Sequence, residues 1–169
     1  MVVPSRCASC GICVGACDYN AINLPYMTED DLKKKIRELS KALVKRANGN
    51  TVFVFVCAKG PFIADRLKDM ERAALMVLPC IGMVQHSCLP IPLEEGVSGV
   101  VVAGCRINDC EYRRGNDWFE GRLRGVHPPV VRRTVDRSRV MTMYCSSVEG
   151  RSALSEIEAF RQGLKKGPS

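Results

Sequence analysis

Hydrophobic positions follow two different periods along this chain, and the change falls near residue 50. Leu32, Ile36, Leu39 and Leu43 recur at three- and four-residue intervals, the spacing that lines one face of an α-helix. Thr28 stands where a cap belongs, with Asp31 three residues on, and Glu29, Asp30 and Asp31 lie at the positive end of the predicted helix dipole. Lys33, Lys34, Lys35, Lys45 and Arg46 fill the remaining circumference as a solvated face, and Asn48-Gly49 supplies a stop.

Beyond residue 50, short β-branched runs alternate with segments of helical spacing. Residues 51–56, 74–78, 99–103 and 139–144 predict four strands, and residues 61–71, 89–95 and 117–123 predict helices between them. Leu154, Ile157, Phe160 and Leu164 mark a closing amphipathic helix. Strand–helix alternation argues for a parallel sheet with helices packed on it, its strands oriented alike by right-handed crossovers. The predicted class is α/β: a four-stranded parallel sheet with flanking helices, preceded by a small cysteine-rich segment and a helix. The expected units are residues 1–27, a linking helix over 28–49, and the sheet domain over 50–169.

Composition narrows the class. The 169 residues are 46% apolar and 25% charged, a globular balance for one domain with a small appendage. The longest apolar runs are only a few residues, so no membrane insertion is expected. The first residues, Met-Val-Val-Pro-Ser-Arg-Cys, lack the apolar core of an export signal, and the expected location is the cytoplasm. A net charge of +7 suggests an acidic partner. Ten cysteines are the unusual count; in a reducing compartment such thiols serve as metal ligands, catalytic groups or core residues.

Cys7, Cys10, Cys13 and Cys17 give C-x2-C-x2-C-x3-C, the bacterial ferredoxin spacing for a [4Fe–4S] cluster. Thiolates two residues apart on a curling loop reach separate corners of one cubane, and Gly11 and Gly15 are expected to let backbone approach its inorganic sulfur. The stretch from Cys7 to Ile22 resembles half of a bacterial-type ferredoxin, with Asp18 where that family has proline. Only one such run is present, and in two-run ferredoxins the fourth cysteine serves the other cluster. The fourth ligand here is therefore either Cys17 or a distant thiol such as Cys88.

A second set is scattered in sequence and gathered by the predicted strands. Cys57 follows the first strand and Cys80 the second, Cys105 follows the third with Cys110 in the same loop, and Cys145 follows the fourth. Positions past the carboxyl ends of parallel strands share one edge, where open α/β folds bind ligands. Four or five thiols there suit a [2Fe–2S] cluster or a zinc ion.

The stretch from Val102 to Asn116 reads V-A-G-C-x3-D-C-x-Y-x2-G-N. With Cys57, Cys80 and Ser147-Val-Glu-Gly150, it resembles the delta subunit (MvhD type) of methyl-viologen-reducing hydrogenase, which works with heterodisulfide reductase. The resemblance implies a [2Fe–2S] cluster held by Cys57, Cys80, Cys105 and Cys110, and an electron-relay role without a substrate of its own. It further implies a hetero-oligomer with an electron donor, a hydrogenase or dehydrogenase module, and with a heterodisulfide-reductase-like flavin subunit. Cys88, Cys145 and the ferredoxin-like appendage lie outside the family pattern.

Two rivals are weaker. Arginines crowd residues 106–139 with Tyr112, Trp118 and Phe119 among them, as in a zinc-stabilised nucleic-acid binder. Asp109, Glu111, Asp117, Glu120 and Asp136 break that stripe, so the arginines read as a docking surface for an acidic partner, and no nucleic acid is expected. A catalytic thiol is disfavoured because His86 lies two residues before Cys88 and His127 precedes a proline pair.

Overall fold

A computed structural model describes residues 3–19, 21–60, 67 and 70–164. Four strands, β1 (Val52–Cys57), β2 (Ala73–Leu78), β3 (Gly99–Cys105) and β4 (Val140–Cys145), form one parallel sheet in the order β2-β1-β3-β4. Each lies within two residues of its predicted bounds. Among the described residues five α-helices accompany them: α1 (Ile12–Gly15), α2 (Glu29–Arg46), α3 (Pro90–Glu94), α4 (Gly115–Arg124) and α5 (Gly150–Gly163). The helix expected over 61–71 lies almost wholly outside the described residues.

Why these runs are strands follows from the covering of both sheet faces. Every residue of β1 and β3 is buried, so continuous apolar sequence is what a central parallel strand requires. Phe53, Phe55, Val100 and Val102 pack on one side with Leu32, Ile36 and Leu43 of α2 and Phe119 of α4. Val52, Val54, Val56, Val101 and Ala103 pack on the other with Leu67 and with Ala153 and Ile157 of α5.

Helix α2 starts as its sequence dictates. The Thr28 hydroxyl oxygen accepts from the Asp31 N–H, and the Asp31 carboxylate accepts from the Thr28 N–H, both at 3.1 Å. The Thr28 hydroxyl, which donates to the Asp31 carboxylate at 2.6 Å, and then the Thr28 N–H hold the Asp31 carboxyl below its ordinary value, and the two backbone bonds satisfy otherwise unpaired donors. Lys34, Lys35 and Lys45 are solvated as expected, whereas Lys33 pairs with the buried Glu29. At the far end the Arg46 guanidinium donates to the Ala73 carbonyl at 2.6 Å, fastening the helix to edge strand β2.

The cysteine-rich segment joins the main core. Val14 is fully buried and Leu24 is 6% exposed within the cluster that includes Phe53 and Phe55. The strand order positions the site. From β1 the chain moves outward to β2, then crosses back to place β3 on the other side of β1. That reversal opens a crevice at the carboxyl ends of β1 and β3, the usual ligand position in such sheets.

Candidate metal centre

Cys57 and Cys105 are the last residues of the two strands that flank this crevice. Their sulfurs lie 3.5 Å apart, 48 residues apart in sequence. Two thiolates on one tetrahedral metal with bonds of about 2.3 Å stand about 3.7 Å apart, so the pair is already close to the span of a shared ion. Cys80 follows β2 and begins the tight turn Ile81–Met83, and its sulfur accepts from the Gly82 N–H at 3.4 Å. Cys110 lies in the loop before α4, and its sulfur accepts from the Gly115 N–H at 3.4 Å. All four are buried, between 1% and 8% exposed.

Gly115 joins the second pair of sulfurs. A Cβ there would stand 2.0 Å from the Cys80 sulfur and 3.5 Å from that of Cys110. Cys80 also lies beside Cys57 closely enough to perturb it. The contact with Cys105 pulls the Cys57 thiol down, but the neighbouring Cys80 sulfur and burial outweigh it and leave Cys57 raised. Cys57 and burial together push Cys105 up strongly. Thiols so crowded resist becoming a set of bare thiolates; a bound cation reverses that balance, because a coordinating thiol is deprotonated outright.

Backbone N–H groups bond two of the sulfurs, Gly82 to Cys80 and Gly115 to Cys110, and the backbone at Lys59 and Glu111 lies near enough to Cys57 and Cys105 to favour their thiolates. The loop that delivers them is coiled tightly: Asn108 and Arg113 take left-handed φ values of 74° and 66°, a conformation non-glycine residues hold only when their surroundings compel it. A side-chain bond from Asn116 to the Cys105 carbonyl at 3.3 Å ties α4 back to the strand end. Among the described residues no three Cys, His, Asp or Glu side chains close on one point as a single ion would require. Cys57 and Cys105 form one close sulfur pair, and Cys80 and Cys110 both border Gly115.

The other predicted candidates divide. Cys145 ends β4 opposite Cys105 in the ladder, and burial, then Glu149 and Glu156, lift its thiol to about 11. Cys88 is fully buried against α2, with Lys33 and Glu29 as charged neighbours, and burial raises its thiol to about 11. Cys7, Cys10, Cys13 and Cys17 lie on the loop and turn around α1, Cys7 and Cys13 exposed and the other two half-buried. Ser9 donates its N–H to the Cys7 sulfur at 3.4 Å.

Gly11 and Gly15 serve a purpose the sequence did not reveal. A Cβ at Gly11, whose φ is 76°, would meet the Met83 sulfur at 2.7 Å, and one at Gly15 would meet the Gly82 carbonyl oxygen at 2.1 Å. These glycines let α1 lie directly on the turn after Cys80. Tyr112 lies at the same junction, within electrostatic reach of Cys10, Cys57 and Cys80, and is pushed up chiefly by burial.

Neither histidine is placed for thiol catalysis. His127 stacks on Trp118 with ring centroids 4.8 Å apart. Burial lowers His86, whose Nδ1 has no partner. The arginines expected at the surface include one exception. Arg122 is 1% exposed; its spacing of three from buried Phe119 on α4 was the available signal.

Comparison with known proteins gives one family and several relatives. A family model described as methyl-viologen-reducing hydrogenase, delta subunit, matches residues 52–166. An F420-non-reducing hydrogenase iron–sulfur subunit of Archaeoglobus profundus is 29% identical over 92 residues, covering 54% of this chain and 67% of that one. An F420-non-reducing hydrogenase vhc iron–sulfur subunit of Methanococcus voltae is 30% identical over 85 residues, covering 50% of this chain and 59% of the relative. The large relative is a ferredoxin:CoB-CoM heterodisulfide reductase subunit of Methanosarcina mazei. It is 25% identical over 200 residues, covering 99% of this chain but 25% of the relative. The chain thus spans a quarter of that reductase polypeptide, and its match runs through the cysteine-rich segment as well as the sheet.

Proposed function

We propose, since the chain belongs to the methyl-viologen-reducing hydrogenase delta subunit family, that it is an electron-relay subunit of a larger redox complex. The observation that supports this is the placement of Cys57, Cys80, Cys105 and Cys110 at the carboxyl edge of the sheet, with the Cys57 and Cys105 sulfurs 3.5 Å apart and those of Cys80 and Cys110 each bonded by a backbone N–H. These four are the ligands of a [2Fe–2S] cluster in this reading, and Cys7, Cys10, Cys13 and Cys17 those of a [4Fe–4S] cluster. Clusters of this kind store and release single electrons with little change of shape.

The chain's own residues supply the rest. Backbone N–H groups at Lys59, Gly82, Glu111 and Gly115 stabilise thiolate charge and so bear on potential. The packing of α1 on the turn 81–83 brings the two cysteine sets near one another, with Tyr112 within electrostatic reach of both. The exposed loop of Arg106, Ile107, Arg113 and Arg114 lies at the rim beside the buried sulfurs, a suitable approach for an acidic partner. In the heterodisulfide reductase relative the matching region is one quarter of a longer chain. We therefore take as one partner a heterodisulfide-reductase-like flavin subunit, and as the donor a hydrogenase or dehydrogenase module, in a cytoplasmic hetero-oligomer. Among the described residues no helix is long and apolar enough to cross a membrane.

The test is iron and acid-labile sulfide quantitation of anaerobically purified protein, with low-temperature EPR after reduction. Two distinct signals are expected. One cluster type alone, or stoichiometric zinc, would overturn the two-cluster reading.

A further inference from the structure

One buried charge has no carboxylate counterpart among the described residues. Arg122, on the last turn of α4, is 1% exposed. Its Nη2 donates to the Gly82 carbonyl at 2.7 Å and the Val84 carbonyl at 3.3 Å. Its Nε and Nη1 have no partner, and both are buried. A guanidinium keeps its proton in proteins, so this position holds a cation in the interior. Burial lowers its pKa to about 10, and the one titratable neighbour acting against that is Cys80.

Taking a charge out of water is costly unless an opposite charge and full hydrogen bonding compensate it. Two carbonyl dipoles satisfy one nitrogen of three. No carboxylate among the described residues partners it; Gly82, whose carbonyl takes one guanidinium bond, donates its N–H to the Cys80 sulfur, the titratable group near enough to favour the charge. As a thiol that sulfur is neutral and offers little; as a metal-bound thiolate it is the missing anion. The position is also shared between the two cysteine sets. A Cβ on Gly15, between Cys13 and Cys17, would lie 3.0 Å from Nη2, and both carbonyls that Arg122 binds belong to the stretch immediately after Cys80.

We infer that Arg122 is the built-in counter-charge of the thiolate site at Cys80, a positioning residue that favours the electron-rich state of that site. The inference rests on the reading of the four cysteines as cluster ligands. A thiolate-bound iron–sulfur centre is anionic, and each added electron increases its negative charge. A fixed cation held away from water stabilises the reduced state more than the oxidised one, and screening by salt hardly reaches it. A purely structural arginine would need only a donor for Gly82 and Val84, and its two idle nitrogens would serve nothing.

The experiment compares the metal-loaded wild type with Arg122→Gln, which keeps a donor for the carbonyls but no charge, and Arg122→Lys, which keeps the charge. The readout is an EPR-monitored redox titration of the rim signal at low and high salt, with iron content per chain alongside. At a fixed potential the glutamine variant should show at least a tenfold lower ratio of reduced to oxidised centres, a shift of about 59 mV for one electron. The lysine variant should stay within threefold of wild type, and both differences should persist at high salt. Equal titration of wild type and Arg122→Gln at normal iron content would overturn the inference while leaving the cluster reading intact. Loss of iron in both variants alike would also overturn it, since lysine retains the charge. A wild type without iron and sulfide would instead remove the cluster reading on which this one stands.

Discussion

Replacing Gly115 with alanine separates the two demands that meet at the start of α4. The residue is helical, so alanine fits the backbone, and intrinsic preference favours it over glycine by about 1 kcal/mol. Sterics point the other way. The new Cβ would stand 2.0 Å from the Cys80 sulfur, 3.5 Å from the Cys110 sulfur and 3.7 Å from the Gly82 nitrogen. Ordinary carbon contacts begin near about 3.5 Å, so roughly 1.5 Å of overlap must be relieved. Cys80 is 1% exposed and bonded through its sulfur to Gly82; it has no free direction in which to turn. Overpacking of this kind costs about 1–3 kcal/mol, partly offset by the helical gain. For a chain of this length each kcal/mol moves the midpoint by about 2–4 °C, so the protein should remain folded with a midpoint lowered by up to about 10 °C. The rim site should not survive, because its ligand sulfur is displaced by more than bond-length tolerance. Iron per chain, EPR of the reduced protein and thermal unfolding by circular dichroism test this together. A Gly115→Ala variant that loads and titrates as wild type would refute the assignment of Cys80 and Cys110 to one centre.

Other outcomes follow from the same geometry. Cys105→Ser should abolish the rim EPR signal and spare that of the N-terminal set; loss of both would show that the sites are not independent. Cys17→Ser should be milder than Cys10→Ser if a distant thiol completes the N-terminal site, and equal loss of its signal would identify Cys17 as the fourth ligand. The thiol of Cys88 is raised from 9.0 to about 11 by burial, so above about pH 9 the unfolded chain releases a proton that the folded one retains. Stability should therefore fall between about pH 9 and 11, by up to about 3 kcal/mol; denaturant unfolding of Cys88→Ala across that range should lack this component. Thr28→Ala removes the cap of α2 and should cost about 1 kcal/mol, read as a lower urea midpoint with an unchanged slope.

Much of the fold was legible because central parallel strands leave a plain trace. Thr51 to Val56 and Gly99 to Ala103 are apolar at every position except the terminal Thr51 and glycines, as burial on both faces demands. Thr28 and Asp31 marked the start of α2 because their bonds are local. The cysteines at strand ends were recoverable once the strands were drawn. What escaped was information about partners. No sequence period states that β1 neighbours β3, yet that adjacency brings Cys57 to Cys105. That Gly11 and Gly15 also admit Met83 and Gly82 at close range depends on a tertiary contact that no local pattern records. Arg122 read as one more surface cation, since composition carries no sign of which arginine turns inward.

The separation between Cys57 and Cys105 bears on biogenesis. Four thiols within residues 7–17 are held near one another by chain connectivity alone, so a nascent polypeptide offers them to iron before any sheet exists. The rim thiols are 48 residues apart and meet only when β1 and β3 have paired, after the closure of a long loop. If both sets are loaded as proposed, maturation is ordered: the amino-terminal site is competent from synthesis, and the second accepts its metal only from a chain that has already folded. Inserted there, the metal would act as a rivet across the middle of the sheet, and its loss would be felt as slackening where β1 meets β3.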